Sequence, residues 1–247
     1  MYAWLVDLGG PGALFACLLA GHMLGDFVFQ TRAMVANKAQ FRWLLSHVFV
    51  LTLVQILCLL PFWSLHVLIG GIVVGLSHGV IDWLKVHVGC RWLLPISNFL
   101  MDQILHMVIL LVVWYGILVL NGGSWFAVPE PLWPALTRTS VLVAGLAFNI
   151  HGAGALVSML LIKYRLGAEQ SDHVSGQGKL IGILERIIIF ILVVVEQWTA
   201  IGFVIVAKSI ARFKALEDKS FSEYYLIGSL FSVLLAMLSA IIVRVLI

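Results

Sequence analysis

The sequence predicts an all-α, polytopic transmembrane helix bundle of six to seven spans, and three observations predict it. Of 247 residues, 62% are hydrophobic and 11% are charged, where soluble domains carry about a quarter charged residues. Mean hydropathy is +1.08. Apolar runs recur along the whole length, each near the ~20 residues a helix needs to cross ~30 Å of hydrocarbon. A soluble protein of this length has too little interior to hide so many helices that are apolar all round.

The runs fall at 12–31, 44–62, 65–86, 98–120, 139–162 and 221–246. A further apolar segment, 187–207, carries Glu196 and Gln197 at mid-length. Both are costly against lipid and favour a buried or re-entrant course. Basic residues sit in the breaks: Arg32, Lys38 and Arg42 in 32–43, Lys85 and Arg91 in 85–97, and Lys163, Arg165 and Lys179 in 163–179. Residues 63–66 hold no Lys or Arg, and 121–138 is rich in Trp and Pro, with Trp125 and Trp133 as interfacial anchors. The positive-inside rule then puts the N-terminus outside and the first, third and fifth loops in the cytoplasm. Segment 208–219 is also basic, through Lys208, Arg212, Lys214 and Lys219. A full span at 187–207 would place it outside, whereas a re-entrant course removes the conflict. Two regions follow: a four-helix bundle over 1–121, and C-terminal membrane helices with a basic interfacial segment over 122–247.

Net charge is +3, spread as loop bias and not as a nucleic-acid footprint, so the partners expected are membrane lipids and no nucleic acid. Cys17, Cys58 and Cys90 are odd in number, and two of them lie inside apolar runs. They read as small apolar fillers, not as a disulfide framework. The first basic residue is Arg32, so no secretory signal is expected.

The polar residues of the apolar runs concentrate in the first 110 positions. The fragments are "GHMLGDFVFQ" with His22, Asp26 and Gln30, "LLSHVF" with His47, "LSHGVIDWLK" with His78, Asp82 and Lys85, and "FLMDQILHM" with Asp102, Gln103 and His106. Three of them hold His and Asp four residues apart, which on an α-helix puts both on one face a turn apart. At 1.5 Å per residue from the loop ends, Asp26, His47, Asp82 and Asp102 lie roughly 5–10 Å in, and His22, His78 and His106 roughly 10–17 Å in. A layer of three imidazoles therefore lies beneath a carboxylate-rich layer, both toward one membrane face. Gly21, Gly25, Gly71, Gly75 and Gly79 allow close helix approach, and by themselves they read as packing residues.

Several carboxylates together repel one another unless they are protonated or met by a cation. A divalent transition metal meets them, and mixed imidazole and carboxylate ligands suit Zn ahead of Mn or Fe. An open coordination position would make hydroxide for hydrolysis. On this reading His22, His78 and His106, with some of Asp26, His47, Asp82 and Asp102, hold the metal. Asp82 or Asp102, left unligated, serves as general base. Lys85 either meets an anionic substrate group such as a phosphate or snorkels from the loop edge. Taken singly, each His is more often a hydrogen-bonded packing residue than a ligand. The same groups also suit a cation or proton relay.

Outside this cluster His151, in "FNIHGAG" beside Asn149, reads as a helix-contact residue. Glu185 and Arg186 in "GILER" are expected to anchor the end of their segment through local pairing. "AKSIARFKALEDK" reads as an interfacial helix on lipid headgroups or as a phosphate-binding lip, and His173 carries no argument.

The motifs "GHMLGDFVFQ", "LLSHV", "SHGVIDWLK" and "MDQILH" resemble the domain of unknown function 3307 family of bacterial inner-membrane proteins. "GKLIGILER", "AKSIARF" and "EYYLIGSL" look like an extension found in some members. The resemblance implies a bacterial inner-membrane location and no particular activity. A looser similarity links the His and Asp pattern to membrane proteins labelled as metal-dependent hydrolases. The expectation is a metal-dependent membrane hydrolase acting on an amphipathic or lipid-linked substrate at the cytoplasmic face. A cation or proton transporter and a non-catalytic assembly partner are its alternatives.

Overall fold

The computed structural model describes residues 9–87, 95–121, 128–164 and 176–247. Cys90, Arg91, Trp125, Arg165 and His173 lie outside the described residues. Within them every regular element is helical, and two compact units form, the first comprising the chain up to Ala147 together with Leu246–Ile247 and the second covering Phe148–Val245. Five stretches are long and apolar enough to cross a membrane: Phe41–Phe62, Leu65–His87, Pro95–Leu120, Glu130–Ile162 and Phe221–Leu246.

The first unit is built on α1 (Gly9–Phe27), of which 12 of 19 residues are buried. Glycines, His22 and Asp26 dilute its apolar character, and a helix enclosed by its neighbours needs no lipid-facing surface. The apolar run 12–31 ends as a helix at Phe27, because Thr31 starts a separate short helix, α2 (Arg32–Ala36), by accepting from the Met34 amide at 3.3 Å. Around α1 stand α3 (Phe41–Leu59), α4 (Leu65–His87), α5 (Pro95–Leu120) and α6 (Trp133–Ala147). α3 closes in a 3₁₀ turn at Leu60–Phe62, where Pro61 stops the helix. α5 opens on Pro95, whose missing N–H costs nothing at a helix start.

α6 joins this unit by packing along α1, a fifth helix beside the four expected. Cys17 Sγ and Ser140 Oγ share a hydrogen bond at 3.3 Å, and Trp133 lies over Gly10, whose missing Cβ would sit 3.2 Å from the indole. Cys17 and Cys58 are free thiols, as fillers should be.

Helices in lipid associate through close packing and interhelical hydrogen bonds and not through the hydrophobic effect. Both devices occur here. A Cβ at Gly75 would run into Thr52 Oγ1, and one at Gly25 would stand 2.9 Å from Leu51 Cγ and 3.1 Å from its Cα, so α3 meets α1 at backbone contact and seats its Thr52 side chain against the α4 backbone. Gln55 Nε2 donates to the Leu18 carbonyl at 3.1 Å, and Trp114 Nε1 to the Pro11 carbonyl at 2.8 Å.

In the second unit a π turn, Phe148–Gly152, leads into α7 (Ala153–Tyr164). The wide turn loosens backbone carbonyls, and Arg186 takes them up, with Nε donating to the Asn149 carbonyl at 2.7 Å and Nη2 to that of Ile150 at 3.4 Å. Gly154 and Gly182 make room for the guanidinium. Asn149 Nδ2 donates to Ser239 Oγ on α10 (Lys219–Leu246) at 2.8 Å. His151 lies in the same π turn.

The segment 187–207 belongs to a helical hairpin, α8 (Gly176–Val194) and α9 (Trp198–Ala211), broken at Glu196 with φ 62°. Lys208 pairs with Glu185, and Arg212 lies beside Gly178, so the arms run antiparallel. The basic stretch from Lys208 therefore lies at the same end of the hairpin as Lys179, which removes the charge conflict. Glu185 and Arg186 do not pair locally at a helix end. They sit inside α8, buried, with Glu185 on Lys208 and Arg186 on the π turn. Lys208 accordingly turns toward Glu185 and is 18% exposed.

Candidate functional site

All the metal-ligating candidates lie in the first unit, at the end where α1 and α4 finish and α3 and α5 begin. His22 and Asp26 come from α1, His47 from α3, His78 and Asp82 from α4, and Asp102 and His106 from α5. Helical periodicity delivers each His–Asp pair to one face, and the close α1–α3 and α3–α4 approaches bring those faces together. All seven are at most 8% exposed.

The tightest group is formed by four atoms. His47 Nε2 and His78 Nε2 face each other at 3.0 Å. Asp26 Oδ1 lies 3.4 Å from the first and 3.7 Å from the second. Asp82 Oδ2 lies 3.6 Å and 3.2 Å from the same two nitrogens. Donors placed tetrahedrally about an ion at 2.0–2.2 Å are about 3.3–3.6 Å apart; Asp26, His47 and His78 converge on one point at spacings near these, and Asp82 Oδ2 flanks the two nitrogens.

Lysines neutralise part of the cluster. Lys38, from the turn after α2, has its Nζ 2.6 Å from Asp82 Oδ2, and Lys85 Nζ lies 2.6 Å from Asp102 Oδ2. Asp26 instead faces the two imidazoles and receives Gln103 Nε2 at 3.4 Å. Lys38 counted in the sequence only as a loop charge, and Gln103 drew no role beside Asp102. The motif "MDQ" put Gln103 next to a ligand candidate, but nothing in the sequence signals how the 28–40 segment folds back.

One turn deeper, His22, His78 and His106 pack together, His22 edge-on to His78 and the other pairs tilted, with His78 and His106 ring centroids 4.2 Å apart. His106 Nδ1 donates to the Asp102 carbonyl at 2.8 Å. His106 Nε2, Asp102 Oδ1, and Nδ1 of His22, His47 and His78 are buried without a hydrogen-bond partner. Three groups of side chains can each converge on an ion: His22–His78–His106, Asp26–His47–His78 and Asp82–Asp102–His106.

The fold and this cluster define a polytopic helical membrane protein with a buried His and Asp centre near one end of its bundle. Residues 14–132 match the family model described as Protein of unknown function (DUF3307), and this stretch, which holds every residue of the cluster, belongs to that family. No curated protein and no solved structure matches the chain.

Proposed function

We propose that this protein is a metal-dependent membrane hydrolase for an amphipathic or lipid-linked substrate with an anionic group. The convergence of Asp26, His47 and His78, with Asp82 Oδ2 3.2 Å and 3.6 Å from the same two nitrogens, carries the reading. The two nitrogens and two oxygens suit Zn, with Mn or Fe behind it. An ion bound there would lower the pKa of a bound water and polarise a phosphoryl or carbonyl oxygen.

The chain's own groups supply the remaining chemistry. Lys85 holds Asp102 Oδ2, while Oδ1 is buried and free of a hydrogen-bond partner. Oδ1 takes the proton of the attacking water and returns it to the leaving oxygen. The water oxygen forms the new bond to phosphorus or carbon as the bond to the leaving oxygen breaks. Lys38 and Lys85, at 17% and 39% exposed, are the cations available to an anionic group. Trp83, Leu84, Met101 and Leu105, beside Asp82 and Asp102 in sequence, are exposed. That apolar surface suits an acyl chain whose headgroup reaches the lysines. The positive-inside rule, applied to Arg32, Lys38, Arg42 and Lys85, supports a cytoplasmic position for this end, and the family resemblance supports a bacterial inner membrane.

An ion path requires polar groups to continue toward the other face. One turn beneath the imidazoles lie Leu18, Leu51, Val74 and Leu110, each at most 2% exposed. This apolar layer favours a closed pocket over transport.

Elemental analysis of the detergent-purified protein beside a His47→Ala, Asp82→Ala variant is the test. The wild type should retain Zn, or take it up on reloading, and the variant should lose the ion held by His47 and Asp82, binding one Zn fewer per chain. The metal-loaded wild type should then release headgroup from phosphoester or ester lipids, and Asp102→Asn should not. A wild type that binds no Zn, Mn or Fe overturns the reading.

A further inference from the structure

We infer that His22, His78 and His106 form a second metal site, for a divalent late transition metal such as Zn, which shares His78 with the first. The inference rests on the reading above and deepens it from one ion to two. One nitrogen from each ring lies within 4.8 Å of the others. The ring centroids stand 5.4, 5.2 and 4.2 Å apart, and the side chains are 2%, 1% and 2% exposed.

The hydrogen-bond accounting points to a cation. A neutral imidazole has one N–H and one lone-pair nitrogen. His106 commits Nδ1–H to the Asp102 carbonyl, so its Nε2 carries the lone pair, buried and partnerless. A backbone carbonyl holding one nitrogen so that the other can bind is how metal-ligating imidazoles are usually oriented. His22 Nδ1 and His78 Nδ1 are likewise buried and partnerless. Each of the three rings thus has one nitrogen that nothing in the protein satisfies. One ion can take a lone pair from each of the three rings, whereas one water molecule can donate to two at most.

His78 lets the two sites coexist. Its Nε2 faces Asp26, His47 and Asp82, and Nδ1 remains without a partner. A ring serving two ions would have to bind as imidazolate, giving up its N–H proton to water. Three nitrogen donors with no carboxylate form a softer set than the first, so the second site should prefer Zn, Ni or Cu over Mn.

The test uses the full chain in detergent, titrated with Co(II) and separately loaded with Zn, then analysed for metal per chain. Two Co(II) binding steps and two Zn per chain are expected in the wild type. A His22→Ala, His106→Ala variant should hold one Zn and show one step. His22→Asn and His106→Gln, each checked by size exclusion and thermal unfolding, should give the same loss if the alanine variant aggregates. One Zn and one step in the wild type overturn the second site and leave the hydrolase reading standing. Two ions in both wild type and variants also overturn it. No ion in any form overturns both.

Discussion

Lys38 Nζ lies 2.6 Å from Asp82 Oδ2, an oxygen that also faces His78 Nε2 at 3.2 Å and His47 Nε2 at 3.6 Å. A lysine from between α1 and α3 thus shares a carboxylate with the two imidazoles. Lysine and ion compete electrostatically there, so removing the lysine has opposite effects on the two states. Without metal, Lys38→Met should lower stability by about 1–3 kcal/mol, less than a fully buried pair would lose because Lys38 is 17% exposed. With Zn the deficit should vanish, and Zn should bind about tenfold tighter, a change of about 1.4 kcal/mol. Melting curves with and without chelator, plus a competition titration, measure both. A Lys38→Met protein that binds Zn more weakly would mean that the lysine supports the site instead of competing with it.

In the second unit, Arg186 joins α8 to the π turn through the Asn149 carbonyl, in space left by Gly154 and Gly182. A lysine cannot place donors on two carbonyls in this planar geometry. Arg186→Lys should therefore cost about 1.5–3 kcal/mol, the worth of hydrogen bonds from a charged donor. Hydrogen exchange should speed up in 148–164 and 178–194, with metal content unchanged. If the exchange pattern is unaffected, the guanidinium does not hold the turn.

How much of this was legible in the sequence depends on the range of the interaction. His22–Asp26, His78–Asp82 and Asp102–His106 are one turn apart on single helices, so period and depth alone put them at one end of the bundle. Lys38 was opaque because its reach depends on how α2 turns back, which no short-range pattern states. The α1–α6 packing was hidden for a similar reason, since a long connection separates helices that meet side by side. Glu196 was visible as an anomaly in an apolar run. Its meaning, a reversal of the chain, depends on the pairing of Glu185 with Lys208, 23 positions apart.

That reversal makes its own prediction. Glu196 holds φ at 62°, a conformation that costs a non-glycine residue about 1–2 kcal/mol. Its partner Arg244 is 38% exposed, and Glu196 itself is 60% exposed. Pairs this exposed contribute about 0–1 kcal/mol, so the backbone strain outweighs the pair. Glu196→Gly should be neutral or stabilising, and Glu196→Val destabilising, when thermal unfolding of the two is compared. A clear loss in the glycine variant would show that the ion pair matters more than the turn.

The sharpest test of how the bundle builds the site leaves every candidate ligand untouched. Gly75 lies one turn from His78 on α4, and its missing Cβ makes room for Thr52 on α3, five residues from His47. Thr52 cannot easily turn away, because Oγ1 donates to the Val48 carbonyl at 2.7 Å and a β-branched side chain has few rotamers. Gly75→Ala must then separate α3 from α4 near the point where His47 Nε2 and His78 Nε2 stand 3.0 Å apart. Zn affinity should fall by about 10–100-fold, the scale seen when groups that orient ligands are lost. Thr52→Gly in the same chain reopens the space from the other helix, at about 0.3–0.5 kcal/mol of helix propensity because Thr is already a poor helix former, and should restore most of the affinity. Such non-additivity is the signature of two positions sharing one contact. Equal Zn affinity in wild type and Gly75→Ala would mean that the imidazole pair is held by something other than the α3–α4 approach.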